Sequence, residues 1–246
     1  MRVLSSFVAA LLLASSATAS ASSPSDFSQC RQFFVAGKAP VVGHSDGLKP
    51  RALCYDSFAV LHSGATRTPV YVAEKLNREQ LLDARGEERS DKFFADARLP
   101  RAERAELDDY RRSGYDRGHL SAAANQPTPE AMAQSFSLAN IVPQAPENNR
   151  RTWAGLEKAT RHFAMRARGD VYVISGPVFL EDRGTIGNRV RVPSHLFKLV
   201  YDSASGRAWA HWVENTDEAR AGKPISYSEL VRRTGIEFLP GVNIKG

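Results

Sequence analysis

The sequence predicts an α+β fold organised on a mostly antiparallel sheet, and three stretches carry that expectation. Thr68-Pro69-Val70-Tyr71-Val72-Ala73-Glu74-Lys75-Leu76 has the β-branched and aromatic content of a strand. Leu196 to Tyr201 and Ala208 to Val213 read as two more, joined by Asp202-Ser203-Ala204-Ser205-Gly206, which has the composition of a hairpin loop. Between these regions the positions Trp153, Leu156, Thr160, Phe163 and Ala167 recur at three and four, the period of a helix with one buried face. Strands and helices alternate irregularly, which favours an antiparallel arrangement over repeated βαβ units.

Taken from its N-terminus, the chain opens with a targeting pattern. Arg2 supplies a positive start, Phe7 to Leu13 with their neighbours form a short apolar run, and Ala17-Thr18-Ala19 offers a small-x-small cleavage site. Residues 1–19 are therefore expected to be a signal peptide, with a mature chain that begins near Ser20 and works in a secreted or periplasmic location. The apolar run is too short to span a bilayer, and no later stretch approaches the ~20 apolar residues a spanning helix needs. No membrane span is expected in the mature protein.

Composition narrows the class only modestly. Of 246 residues, 42% are hydrophobic, enough for a globular core, and 33 Lys and Arg stand against 27 Asp and Glu. The resulting formal charge of +6 favours polyanionic partners without identifying one. Cys30 and Cys54 are the two cysteines. In an oxidising compartment they are expected to pair, tying down an N-terminal segment over residues 20–52 ahead of the main domain at 53–246.

From Phe27 to Leu61 the chain mixes Gly, Pro and apolar residues without a helical period, and loops and short strands are expected. Asn77 to Arg112 is dense in Arg, Glu and Asp and reads as a solvated face of loops and helical turns. Asn148 or Asn149 is placed to cap the amphipathic helix, which Arg168-Gly169 closes. Asp170 to Gly176 reads as a buried strand, and Ser226 to Arg233 as a short helix.

The chemistry-bearing residues concentrate between Tyr115 and Arg161. Asp116-Arg117-Gly118-His119 is followed by Asn140-Ile141-Val142-Pro143-Gln144, then by Asn149, Trp153, Glu157 and Arg161. An imidazole titrating near ~6.5 can take a proton from water. An Asn amide oxygen is an acceptable ligand for a hard cation such as Mg²⁺ when a substrate phosphate supplies the remaining charge. Arg161 is suited to neutralising a phosphate, and Glu157 to holding a metal-bound water. Asp116 is expected to orient His119, and Gly118 to allow a tight turn. From Asn149, steps of four residues reach Trp153, Glu157 and Arg161, each turning ~40° about a helix axis, so a drifting stripe is predicted, with Trp153 assigned to the core. The mixture suits hydrolysis of a phosphodiester with a divalent ion.

In that order and spacing, these motifs resemble the DNA/RNA non-specific endonuclease family. The similarity extends through Val171 to Pro177, Val192 to Lys198 and Thr234 to Phe238, and covers roughly Leu53 to Pro240. The resemblance implies a ββα-metal nuclease fold (the His-Me finger), with His119 on a strand and Asn149 on the following helix. It also implies His119 as general base, Asn149 as direct Mg²⁺ ligand with Mn²⁺ as a substitute, and Glu157 as a ligand through water. Arg117 and Arg161 become phosphate contacts, Asn140 and Gln144 supporting residues, DNA and RNA the substrates, and a homodimer the assembly some members adopt. A further upstream basic residue is expected to touch phosphate, with Lys75 and Arg78 as candidates. Two other readings use the same features: an extracellular nucleic-acid-binding protein without turnover, and a phosphodiesterase of small nucleotides.

Overall fold

A computed structural model describes residues 26–43 and 47–245; the leader pattern at 1–19 lies outside them. Along the chain run β1 (Val41–Val42), β2 (Pro50–Cys54), β3 (Phe58–Ser63), β4 (Thr68–Leu76), α1 (Arg78–Asp83), α2 (Leu107–Tyr110), β5 (Asp116–His119) and α3 (Pro129–Ser135). There follow β6 (Ile141–Gln144), α4 (Ala154–Ala164), β7 (Val171–Val178), β8 (Thr185–Ile186), β9 (Val190–Arg191) and β10 (His195–Asp202). The chain closes with β11 (Arg207–Glu214), β12 (Ile225–Ser226), α5 (Tyr227–Thr234) and β13 (Ile236–Glu237).

The central sheet has seven strands in the order β12-β11-β10-β7-β4-β3-β2, and every neighbouring pair in it is antiparallel. The predicted α+β class with a mostly antiparallel sheet is what the molecule adopts. β4 matches the predicted Thr68 to Leu76, and the β10–β11 hairpin extends the two predicted strands by one residue at each end.

Both faces of this sheet are covered, and strand alternation decides what lies on each. On β4, Tyr71 and Ala73 join one core with Phe27, Phe33, Phe34, Phe197, Leu199, Leu230 and Phe238. Val72, one residue out of phase, joins the opposite core with Phe58, Leu120, Val142, Trp153, Leu156 and Leu196. The same alternation directs Glu74 of β4 and Lys198 of β10 to this second face, where both are almost fully buried. Two ionisable groups in a core need partners there.

Cys30 and Cys54 are joined in a disulfide. It fastens the segment carrying Phe27, Phe33 and Phe34 to the edge strand β2, and β1 pairs with β13 near the other end of the chain.

Over the second face sits a small ββα unit. β5 and β6 form a two-stranded antiparallel ribbon in which Asp116 faces Gln144 and His119 faces Ile141. The chain then turns into helix at Pro146 and passes through a π-helical turn, Asn148–Trp153, before continuing as α4. Neither Asn148 nor Asn149 caps the helix, contrary to expectation, because the first turn starts ahead of them. Asn148 is instead buried, accepting from Gln144 Nε2 and donating to the Glu214 carbonyl.

Candidate active site

Gly118 lies in extended strand rather than at a turn, and its missing side chain is used by Gln144. A Cβ at Gly118 would stand 2.1 Å from Gln144 Oε1, so glycine is the residue that lets Gln144 cross the ribbon. Gln144 in turn donates to Asn148 Oδ1 at 3.1 Å, tying ribbon to helix start. Asn140 is fully buried, accepting from Ser121 N and donating to the Ser121 and Ser135 carbonyls, each at 2.9 Å. Both amides are buried and fixed by hydrogen bonds, Gln144 to the helix start and Asn140 to the chain around Ser121 and Ser135.

His119, at the end of β5, lines a pocket with Arg89, Arg117, Ala154, Asn149, Glu157, Arg161 and the run Ala122-Ala123-Ala124. Its ring is gripped by aromatic edges: Phe136 lies 4.9 Å away and nearly perpendicular, Phe93 5.4 Å away and tilted. Nε2 is buried without a hydrogen-bond partner. Burial, reinforced by the nearby Arg89 charge, pushes the ring's pKa down to about 3, which leaves a neutral imidazole at pH 7. The backbone carbonyl of His119 accepts from Trp153 Nε1 at 2.9 Å, so the core tryptophan fixes the strand end from below.

Asp116 does not orient His119, as the sequence suggested. Its carboxylate accepts from Asn149 Nδ2 at 3.0 Å and from Arg150 Nε and Nη2, each at 2.8 Å. With its NH₂ engaged in this way, the Asn149 amide keeps its oxygen available to a cation.

The π-helical turn corrects the predicted stripe. On a regular α-helix, at ~100° per residue, Asn149 would lie ~80° from Glu157 and ~120° from Arg161. A π turn accommodates one additional residue, which takes ~100° out of each separation and brings Glu157 and Arg161 each to within ~20° of Asn149, one on either side. The Ala154 N–H reaches back five residues to the Asn149 carbonyl, and Ala154 takes the pocket position next to Asn149 while Trp153 turns into the core. Trp153 was assigned to the core, and it is there.

Glu157 is half-buried. Burial pushes its pKa up to about 7, opposed by the positive charges of Lys198 and Arg161 and aided by Glu74. Arg117 lies over the Phe93 ring at 4.6 Å, and Arg161 donates from Nη1 to Asn125 Oδ1 at 3.3 Å.

Neither candidate for the upstream basic residue reaches the pocket. Lys75 pairs with Asp170 at 3.3 Å, and Arg78 donates to the Met165 carbonyl at 3.2 Å; neither lines the pocket. Arg89 does, with its guanidinium over the Phe136 ring at 5.0 Å and one bond to Asp91. It belongs to the charged run read as a solvated face, and that run is brought to the pocket by a backbone pairing between Phe94 and Ser137. Sequence offered no periodic signal for it.

Among the described residues, no group of three or more His, Cys, Asp and Glu side chains is arranged to hold a metal. The donor set that does fit a hard cation is oxygen from the Asn149 amide and the Glu157 carboxylate, in a pocket with three guanidinium groups able to bring phosphate oxygens.

Residues 37–244 match the model of the DNA/RNA non-specific endonuclease family. Human mitochondrial endonuclease G is 35% identical over 208 residues, which is 76% of this chain and 69% of that protein. A nuclease of Nostoc sp. is 32% identical over 231 residues, 82% of this chain and 81% of its own length. Among solved structures, a chain in a crystal structure of an EndoG/EndoGI complex, described as showing the mechanism of EndoG inhibition, superposes with a TM-score of 0.71. Its identity is 27%, over 78% of this chain and 86% of that one. With the ββα unit, the antiparallel sheet and these relatives in agreement, this chain is a nuclease that belongs to the DNA/RNA non-specific endonuclease family.

Proposed function

We propose that the protein is a secreted or periplasmic, Mg²⁺-dependent endonuclease that hydrolyses phosphodiester bonds in DNA and RNA and leaves 5′-phosphate ends. One observation carries the reading: a neutral, unpaired imidazole and an amide oxygen freed by Asp116 share a pocket with three guanidinium groups.

In this reading Asn149 holds the metal directly and Glu157 holds it through a water; Mn²⁺ has the same oxygen preference and substitutes. When bound, the cation neutralises charge on the scissile phosphate and on the departing 3′-oxygen. His119 takes the proton of the attacking water. Its low pKa in the free protein keeps it deprotonated, and the negative charge of a docked phosphate raises that pKa, making it a stronger acceptor once substrate is present. Arg89, Arg117 and Arg161 hold the phosphate and stabilise the charge that builds on its oxygens. Contacts confined to phosphate carry no base information, which accounts for indifference to sequence.

The assay is cleavage of plasmid and of RNA across Mg²⁺ and Mn²⁺ titrations, with and without EDTA, beside Asn149→Ala and His119→Ala. Metal-dependent cleavage is expected, with His119→Ala lowering turnover by ~10²-fold or more while substrate binding persists. Intact substrates at every metal concentration would overturn the reading.

Export is supported by the N-terminal leader pattern and by the Cys30–Cys54 bond, which an oxidising compartment favours. Fractionation of expressing cells should recover a chain beginning near Ser20 outside the cytoplasm; a full-length chain retained inside would remove this part.

A further inference from the structure

Behind the pocket, polar side chains link Arg161 to the middle of the central sheet. The Asn125 amide, 4% exposed, stands between the Glu74 carboxyl and the Arg161 guanidinium. Its Nδ2 donates to Glu74 Oε2 at 3.0 Å, and its Oδ1 accepts from Arg161 Nη1 at 3.3 Å. Glu74 is 3% exposed and sits on β4, a central strand; Ser121 Oγ donates to the same oxygen at 2.9 Å, and Gln126 Nε2 donates to Ser121 Oγ at 3.0 Å. Lys198, 2% exposed, lies on the same sheet face, donates to Ser175 Oγ at 2.7 Å and stands over the Trp153 ring at 4.6 Å.

An amide is bifunctional, and which end faces which neighbour is normally a matter of a flip. Here the neighbours settle it. Glu74 Oε2, which also takes the Ser121 hydroxyl, accepts from the NH₂ of Asn125. A guanidinium only donates, so the oxygen turns to Arg161. Arg161 is attached to α4 by a long flexible side chain that, without a fixed acceptor, would sample several rotamers in the pocket.

We propose that Asn125 is a positioning residue for catalysis: Glu74 fixes the polarity of its amide, and that amide holds the Arg161 guanidinium at the pocket wall beside His119 and Asn149. The assignment rests on the reading of Arg161 as a phosphate contact. A misplacement of about 1 Å at such a contact costs on the order of 10²-fold in rate. Asn125 therefore acts on turnover through Arg161, without touching substrate itself.

The test is a double-mutant cycle on Mg²⁺-dependent plasmid cleavage with Asn125→Leu, Arg161→Ala and the combined variant. Asn125→Ala is carried alongside in case the bulkier replacement does not fold, and thermal melts of each identify folded protein. Asn125→Leu should lower kcat by ~10- to 100-fold with KM changed little, and should add less than about threefold to the loss already caused by Arg161→Ala. Losses that multiply in the combined variant would overturn the proposal, since a merely structural amide would act independently of Arg161. Unchanged kcat in folded Asn125→Ala would overturn it as well. Should Arg161→Ala itself leave cleavage unaltered, the phosphate-contact reading is what fails, and this proposal falls with it; a damaging Arg161→Ala beside a silent Asn125 variant removes this proposal alone.

Discussion

Asn149 donates from its Nδ2 to Asp116 at 3.0 Å, across the seam between β5 and the start of the helix that follows β6. Arg150 holds the same carboxylate with two bonds, so the acceptor is itself immobilised. The consequence is a fixed amide: the only end of Asn149 left for a cation is oxygen. Asp116→Asn keeps the shape but presents a group that can donate as well as accept, and it removes the charge Arg150 uses. The half-saturating Mg²⁺ concentration for cleavage should rise by ~10- to 100-fold, with kcat at saturating metal largely retained. A Mg²⁺ titration of plasmid cleavage checks this, and an unaltered midpoint would show that Asp116 does not govern the metal.

Arg89, Lys75 and Arg78 are three upstream cations with different surroundings. Arg89 faces the pocket, half exposed, while Lys75 and Arg78 are spent on Asp170 and on the Met165 carbonyl. Arg89→Ala should lower kcat/KM by ~10²-fold, as expected for loss of a charged phosphate contact, and Lys75→Ala and Arg78→Ala should stay within a few-fold of the parent. Equal losses from all three would mean that general positive charge, rather than the pocket arginine, governs substrate capture. Raising the salt concentration separates the two, because it weakens diffuse attraction first.

The contrast between these cations shows what a linear sequence carries. Strand β4 was legible because its β-branched and aromatic composition is local, and the meeting of His119 and Asn149 in one pocket was legible because their motifs sit in short, ordered spacings. β3 was not picked out as a central strand: Phe58-Ala59-Val60-Leu61-His62-Ser63 is covered on both faces, so it shows no polar alternation. Arg89 was lost in a run whose charge looked like solvent-facing surface, because what delivers it is the pairing of nearby Phe94 with Ser137, a partner far along the chain that local composition does not reveal. The π-helical turn is similarly silent. Nothing in Asn148 to Trp153 announces an additional residue per turn, yet that turn aligns Asn149 with Glu157 and Arg161. Asp116 was assigned to the nearer residue in sequence, His119, when its partners come from the next element.

Glu157 makes a pH prediction with a definite sign. Its folded pKa is raised to about 7 from the usual carboxyl range, mainly by burial. The folded protein therefore holds this proton more tightly than the unfolded chain does. The associated stability is full below the unfolded value of ~4.3 and is lost as pH rises through about 7. Under the proposed function activity runs the other way, since Glu157 would hold a cation in its ionised form. At low Mg²⁺ the acid limb of the cleavage rate should fall near pH 7, and it should move to lower pH as Mg²⁺ rises, because a nearby cation favours the carboxylate. Glu157→Gln should remove the metal-linked shift of that limb. A limb that stays fixed across Mg²⁺ concentrations would assign it to a group remote from the metal.

Gly118 and Gln144 offer a test of how the ribbon supports the site. In Gly118→Ala the new methyl meets Gln144 Oε1, and Gln144 has no free space to retreat into, being fully buried and bonded to Asn148. Overpacking of this kind costs about 1–3 kcal/mol, which lowers the melting temperature, and it displaces the strand that ends at His119. Removing the partner's whole side chain, including the Cβ that would stand 2.7 Å from the new methyl, should repair the clash. Gly118→Ala combined with Gln144→Gly is expected to be closer in stability to Gln144→Gly alone than the two single losses would add up to, a non-additivity measurable by denaturant melts. Additive losses would mean that Gly118 is required by backbone conformation, whereas its extended geometry and the side chain crossing over it point to space as the reason.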